Sequence, residues 1–182
     1  MRTEYRVRGH WAAAWAAGAL LSGIALGITA SERGGGIAVV QGKSPKDAGA
    51  AALMEAERLA GQGSWELIAV GRVYYLSGDK ARGQATFDGV LSRKPKPSDW
   101  QRVGEVYAEA GENDRAANCF QKALENNPKD DTGQAEIGAW YIRIGQRDKG
   151  EQLLAQALTR APDEMWHYVR AAEAYLGVPP GR

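Results

Sequence analysis

The sequence contains little of the chemistry that most catalytic and metal centres need. It has one Cys and two His in 182 residues, which excludes a disulfide framework within the chain and a zinc site with three or four Cys and His ligands. It also lacks an excess of either charge, because 23 basic residues face 22 acidic ones and the net charge is +1. An electrostatic field strong enough to attract nucleic acid or an anionic membrane is therefore not expected. The length predicts one globular unit.

The first thirty residues have the pattern of an export signal. Three Arg face one acid within residues 1–10, and residues 11–30 carry no charge. The strongly apolar part is short, which favours a cleaved signal peptide with the cut before Ser31. A membrane anchor retained at residues 11–30 is the alternative, and a buried core helix is the simplest structural interpretation. Both the signal and the anchor predict that the rest of the chain lies across the cytoplasmic membrane, in the periplasm.

Residues 31–43 are rich in glycine and predict a flexible tether. Its end, with Gly42 and Lys43 before Ser44, resembles a phosphate-binding loop. That loop requires Gly at position 37, where Ile37 stands, and a strand before it. We therefore interpret Ser44 as the N-cap of a following helix.

The remaining sequence repeats with a period in the mid-thirties. Gly71, Gly104 and Gly138 are spaced by 33 and 34 residues. Four further sets keep that register: Tyr74, Tyr107 and Tyr141; Gly78, Gly111 and Gly145; Phe87, Phe120 and Leu154; and Pro95, Pro128 and Pro162. Apolar residues recur at helical spacing between these landmarks, so each unit is predicted to be a pair of amphipathic helices.

Glycine and polar residues mark the predicted helix ends. Gly78, Gly111 and Gly145 stand where the first helix of each pair must stop, a position that favours residues tolerating positive φ. Ser98, three residues before Gln101, has the spacing of a capping box and predicts the start of a first helix.

The order of the landmarks resembles the tetratricopeptide repeat family, here as an exported protein of bacterial type. The middle unit carries nearly the whole pattern: Trp100, Val103, Gly104, Tyr107, Ala116, Phe120, Ala123 and Pro128. The resemblance implies an all-α fold, a right-handed α-solenoid of helix-turn-helix repeats. It covers three full repeats, at residues 64–96, 97–130 and 131–164.

A half-unit flanks the repeats at each end. Residues 44–63 predict an N-terminal capping helix, and residues 165–182 predict a C-terminal capping helix and tail. We therefore expect a helix, three helix pairs and a helix, because no single pair can bury its apolar face without neighbours.

The resemblance implies a non-catalytic protein–protein interaction module without cofactor, metal, nucleic acid or small-molecule substrate. In such arrays the first helix of each pair lines the concave face. The family's offsets give these candidate partner-binding residues: Trp65, Ile68, Arg72, Tyr75, Gln101, Glu105, Glu109, Ala139, Ile142, Arg143, Trp166, Val169 and Glu173. Aromatic and aliphatic ends with an acidic centre suit an extended peptide or a helix of a partner protein.

Two alternatives to this interpretation stay open. In the first, the chain is a single-span, membrane-anchored structural subunit of an envelope assembly. In the second, which concerns the candidate residues, Trp65 and Trp166 simply pack against neighbouring helices, because exposed Trp is uncommon without a partner.

The remaining candidates for chemistry have simpler structural interpretations. His167 has no matching nucleophile and is predicted to be a surface or edge residue. Cys119 is interpreted as a small, half-buried hydrophobe, with an intermolecular disulfide as the alternative. Glu105 and Glu109 lie four residues apart, and nothing in the sequence encloses them, so a solvated or partner-facing pair is favoured over acid–base catalysis. No enzyme activity is expected.

Overall fold

The computed structural model describes residues 36–180, and these residues form helices and connections without a strand. The eight α-helices are α1 (Pro45–Ala60), α2 (Ser64–Leu76), α3 (Lys80–Leu91), α4 (Pro97–Glu109), α5 (Asn113–Asn126), α6 (Asp131–Arg143), α7 (Arg147–Arg160) and α8 (Met165–Leu176). Helices α2 and α3, α4 and α5, and α6 and α7 form three pairs. The predicted all-α fold of one helix, three pairs and one helix is confirmed.

The segment before α1 contains a single 3₁₀ turn, Ile37–Val39. The side-chain oxygen of Ser44 accepts a hydrogen bond from the Asp47 N–H (3.2 Å), so Ser44 is the N-cap of α1, as predicted. The predicted export segment at residues 1–30 and the start of the predicted tether lie outside the described residues. The flexibility of the tether stays a prediction. Among the helices within residues 36–180, none is long and apolar enough to cross a bilayer.

Glycines in the left-handed region end the first helix of each pair, as predicted: Gly78 (φ 108°), Gly111 (φ 75°) and Gly145 (φ 87°). The start of α4 differs from the prediction. Its first residue is Pro97, and the carboxylate of Asp99 accepts a hydrogen bond from the Lys96 N–H (2.8 Å). The predicted capping box of Ser98 and Gln101 is wrong, because the proline already provides the fixed φ of a first helical position.

The repeating glycines let the two helices of a pair approach closely. A Cβ placed on Gly71 would lie 2.7 Å from the ring of Phe87, and one on Gly104 would lie 2.7 Å from the ring of Phe120. No real Cβ tolerates such a contact with a fixed aromatic ring. Packing therefore explains the glycine landmark of the repeat.

The core of the described chain falls into two clusters. The larger one runs from α2 to α6 and contains aromatic rings packed edge to face, among them Phe87 with Tyr107 (5.9 Å) and Phe120 with Tyr141 (5.6 Å). The smaller one lies between α6 and α7 and has no aromatic member: Ala135, Leu154 and Ala157 are buried in it, and Ile142 and Ala171 pack against it.

The flanking helices are covered less well than the pairs. Helix α1 has no buried residue, and α8 buries only His167 and Ala174. Their exposed apolar side chains are Met54, Leu59, Met165, Trp166, Tyr168, Tyr175 and Leu176.

The predicted exposure of His167 is wrong. Its side chain is 1% exposed, and neither ring nitrogen has a hydrogen-bond partner among the described residues. Helix α8 packs against α6 and α7, and this contact covers the imidazole. Buried polar side chains normally have hydrogen-bond partners, and the sequence indicated none for this imidazole, so burial was not predicted.

Cys119 is buried more deeply than predicted. The free thiol is 7% exposed, and burial raises its pKa to about 11. The thiol is therefore neutral near pH 7 and inside the α4–α5 pair, where a second chain cannot reach it while the pair is folded. Burial and the raised pKa therefore favour the interpretation of Cys119 as a packed hydrophobe over an intermolecular disulfide.

Candidate functional site

The described chain has a concave groove of about 820 Å³. Its walls come from α2, α4, α6, α8 and the tail after α8, and the second helices of the pairs do not contribute. The first helix of each pair therefore lines one continuous surface along the array.

Six of the predicted partner-binding residues line this groove: Trp65, Arg72, Gln101, Glu105, Glu109 and Arg143. The partner-binding role of these residues stays a prediction, but their position on one surface is a property of the fold.

The other predicted residues lie elsewhere. Ile68, Tyr75 and Ala139 are buried in the core, and Ile142 packs against the smaller core cluster, so their predicted place on the groove is wrong. On α8, Trp166, Val169 and Glu173 do not line the groove, whereas Arg170 does. The groove positions recur at the repeat spacing, as Arg102, Glu136 and Arg170 show, so the offsets that selected the buried residues do not describe this array.

The family offsets also missed many groove residues: Leu76, Ser98, Arg102, Asp130, Thr132, Gly133, Glu136, Trp140, Arg170, Pro179 and Pro180. On α6 a signal was present in the sequence. Thr132, Glu136 and Arg143 form a polar stripe at helical spacing, with Trp140 on the same face. This stripe identifies the groove side of α6 without reference to a family.

One end of the groove carries a cation stacked on an aromatic ring. The guanidinium carbon of Arg102 lies 3.6 Å from the ring centroid of Trp65, which joins α2 to α4. The indole remains 52% exposed. Both sequence interpretations of Trp65 are therefore partly realised, because the ring contacts the neighbouring helix and also faces solvent.

An ion pair crosses the groove beside this stack. The Arg72 guanidinium binds the Glu109 carboxylate, with Nη2 and Nε at 2.6 and 2.7 Å from Oε2. The pair joins the first and second helix pairs within the surface that a partner would contact.

The centre of the groove holds a network of carboxylates, an amide and a guanidinium. The Gln101 side chain donates to Glu136 Oε2 (2.6 Å) and to Glu105 Oε1 (3.2 Å). The Arg170 guanidinium lies 3.5 Å from Glu136 and 2.7 Å from Glu173. Burial opposes the charge of Arg170, but the Glu173 hydrogen bond and the nearby carboxylates outweigh it and raise the pKa of Arg170.

The segment after α8 closes the other end of the groove. Gly177 ends the helix in the left-handed conformation (φ 68°). The Arg143 guanidinium then donates a hydrogen bond to the Val178 carbonyl (3.0 Å), and Pro179 and Pro180 become part of the groove wall. A piece of non-helical chain thus already rests on this surface.

The groove combines paired charges of both signs with an exposed aromatic ring. Its carboxylates lie beside guanidinium or amide groups, and the described residues contain no cluster of His, Cys, Asp and Glu arranged to hold a metal ion. Both signs of charge alternate along it, together with an exposed indole. A surface of this composition offers ionic, hydrogen-bonding and apolar contacts.

Comparison with known proteins gives one match. Residues 107–173 match the model of a family described as Tetratricopeptide repeat. The match starts within α4 and ends within α8, so it includes α5 and the whole third pair. Comparisons with curated proteins and with solved structures found no match.

Proposed function

Because the chain is a tetratricopeptide repeat protein, we propose that it is a non-catalytic interaction module whose groove binds a segment of another protein. Repeats of this family generally mediate protein–protein interaction. The proposal goes further in assigning the binding surface to α2, α4, α6 and α8 and the bound element to a peptide segment or a helix.

The observation that carries the proposal is the set of paired charges within the groove. Arg72 with Glu109 and Arg170 with Glu136 hold each other in place before any partner arrives. A partner segment with acidic and basic side chains can form new ion pairs with these groups, whereas an uncharged segment would remove the existing pairs from water and gain no ionic contact in return. The groove therefore selects for charge pattern.

Two further features support a bound protein segment. The exposed indole of Trp65, which the Arg102 guanidinium contacts through its ring, provides an apolar anchor point of the kind found at interface hot spots. The tail around Pro179 and Pro180 supports the same conclusion, since a short stretch of non-helical backbone already packs against the other end.

Photocrosslinking tests the assignment of the surface. A photoreactive residue replaces Thr132 in the groove or, as the control, Gln121 on the outer helix α5. We expect defined crosslinked products in the native host from position 132 and not from position 121. Equal products from both positions would contradict binding in the groove.

Charge reversal tests the assignment of the residues. Arg72→Glu and Glu105→Lys are expected to change the set of crosslinked partners while the helix content measured by circular dichroism stays constant. The matched control is Arg147→Glu, because Arg147 pairs with Glu151 on α7, outside the groove (2.7 Å). A loss of helix content in Arg72→Glu would show that this residue is structural.

We also propose that the repeats act across the cytoplasmic membrane, in the periplasm. The support is the basic start and the uncharged stretch of residues 1–30. N-terminal sequencing of the protein from its own host separates two forms. A start at Ser31 supports an exported adaptor, and a start at Met1 in membranes supports an anchored structural subunit of an envelope assembly.

A further inference from the structure

The flanking helices α1 and α8 are two unmatched halves of a helix pair. On α8, Ala172 and Tyr175 follow Gly138 and Tyr141 by 34 residues, which is the register of a first helix. No second helix follows α8 within the described residues, because the chain turns at Gly177 into the tail. Helix α8 therefore presents the face on which a second helix packs in each complete pair.

Helix α1 has the register of a second helix. Its Gly49, Leu53 and Ala56 precede Gly83, Phe87 and Val90 by 34 residues. The same spacing and the same residue types recur in α7, whose contact positions are Gly150, Leu154 and Ala157. Helix α1 thus carries the packing positions of a second helix, and within residues 36–180 only the 3₁₀ turn precedes it.

The glycine of α1 shows that the described part of the chain leaves this packing surface unused. A Cβ on Gly83 would lie 2.8 Å from the Gly71 carbonyl oxygen, and one on Gly150 would lie 2.5 Å from the Gly138 carbonyl oxygen. These glycines allow two helix backbones to touch. A Cβ on Gly49 would meet no atom within 4 Å.

Helix α1 also does not occupy the ordinary position against the following pair. The Tyr107 hydroxyl donates to Gln84, near the start of α3 (2.9 Å), whereas the Tyr74 hydroxyl donates to Glu57, in the last turn of α1 (2.9 Å). Since α1 buries no residue in this position, its apolar stripe stays available.

The matching face of α8 is uncovered. Tyr141 is 0% exposed beneath α7, whereas Tyr175, its counterpart on α8, is 52% exposed. The Tyr175 hydroxyl donates to Glu151 of α7 (2.9 Å), which corresponds to the contact that Tyr107 makes with the preceding pair. Among residues 36–180, α8 has no contact with a second helix of its own.

We propose that α1 of one copy packs against α8 of a second copy and completes a fourth helix pair across the interface. The occupant is a second copy because the chain itself encodes the missing half at its other end. Within one chain α1 contacts α2 and the 3₁₀ turn, and α8 contacts α6 and α7, so three helix pairs separate the two faces. The contact is head to tail, and repetition of it produces a ring or an open filament.

One departure from the family pattern fits this arrangement. In the three pairs a basic residue precedes the small residue of the second helix and covers the tyrosine of the first, as Arg82 covers Tyr74 (4.8 Å). Helix α1 has Ala48 at that position. The cation near Tyr175 is already supplied by Arg147 of the same chain (5.5 Å), so α1 needs none.

The test measures the mass of the full chain, in the form that its own host makes and in mild detergent, as a function of concentration by analytical ultracentrifugation. We expect species larger than the monomer that increase with concentration. Gly49→Leu is expected to abolish them, because the complete pairs leave no room for a side chain at this position. The monomer tolerates this change, since the space around Gly49 is open.

Ala172→Leu blocks the opposite face and is also expected to give monomers. A mixture of the two variants distinguishes the proposed contact from any symmetric one. The Gly49→Leu copy keeps a functional α8, and the Ala172→Leu copy keeps a functional α1, so the mixture is expected to form a dimer and nothing larger. Gly89→Leu is the matched control, because a Cβ on Gly89 in α3 also meets no atom within 4 Å.

Three results would overturn the proposal. The first is a full chain that stays monomeric at every concentration. The second is association that survives both blocking substitutions, which would assign it to another surface. The third is a mixture of the two variants that remains monomeric although circular dichroism shows each variant to be folded.

Discussion

Replacement of Glu112 by Gln is expected to weaken the contact between the first and second helix pairs. The Glu112 carboxylate accepts hydrogen bonds from Lys80 (2.7 Å), Tyr75 (2.7 Å) and Arg115 (2.8 Å). The Lys80 hydrogen bond, followed by those of Tyr75 and Arg115, lowers the pKa of Glu112 to about 2. In return, burial and the nearby carboxylate raise the pKa of Tyr75 to about 12.

The lowered pKa gives an upper limit for the contribution of the Glu112 charge to the free energy of unfolding. A change from 4.5 to about 2 corresponds to about 3 kcal/mol of unfolding free energy. The Lys80 and Arg115 side chains are 59% and 46% exposed, so water and salt screen the interaction, and we expect Glu112→Gln to cost about 1 to 2 kcal/mol at pH 7. Gln can still accept the Tyr75 hydrogen bond, so the substitution removes chiefly the charge.

The pH dependence gives the sharper test. Because the folded-state pKa is lowered, the contribution is fully present above pH 4.5 and is lost as the pH falls towards 2. Urea denaturation followed by circular dichroism should therefore show a difference between Glu112→Gln and the parent that is largest at pH 6 to 7 and closes at low pH. Added salt should reduce the difference.

Glu151→Gln is the matched control for this measurement. Glu151 pairs with Arg147 on the surface of α7 (2.7 Å) and also accepts a hydrogen bond from the exposed Tyr175 (2.9 Å). We expect little change in unfolding free energy, because exposed pairs contribute little. A Glu112→Gln difference that is independent of pH, or no larger than that of Glu151→Gln, would refute the role assigned to the network.

Three further substitutions or reactions test the packing. His167→Leu is expected to raise the melting temperature, because it removes two buried ring nitrogens without partners; a lower melting temperature would mean that the imidazole has a partner in solution. Gly104→Ala should destabilise the fold by about 1 to 3 kcal/mol through its contact with the ring of Phe120, whereas Gly89→Ala should be neutral or stabilising by up to about 1 kcal/mol in urea denaturation. Cys119 should react with a thiol reagent at pH 8 only after unfolding, and fast reaction of the native protein would contradict its burial.

The fold could be predicted because its landmarks are demands of packing. Gly71 and Gly104 recur at the repeat period since each lies against the aromatic ring of the next helix, and no other residue fits there. Gly78 recurs because the chain must turn with positive φ. These requirements act between residues close in the sequence, so they leave a periodic trace that a single sequence displays.

The groove could be predicted only in part, because the offsets taken from the family include positions that this array buries. The family offsets correctly placed Gln101 and Glu105 on α4, but on α6 they selected the buried Ala139 in place of Glu136. The charge network of Arg170 with Glu136 joins helices separated in the sequence by the whole of α7. Contacts of that kind depend on three-dimensional packing and leave no local pattern.

The division of the core has a consequence for the order in which the molecule opens. The aromatic cluster from α2 to α6 resists local unfolding, whereas α7 and α8 depend on a small aliphatic cluster around Leu154. Apart from α1, which buries no residue, the C-terminal helices should therefore detach first, and within the repeats amide hydrogen exchange should be fastest there. Arg170 and the tail belong to this less stable region, so one half of the groove is lined by stably folded helices and the other half by helices that unfold more easily. A segment that extends along the whole groove must order the less stable half as it binds. The affinity for that segment then depends on how stable α7 and α8 are in the free protein.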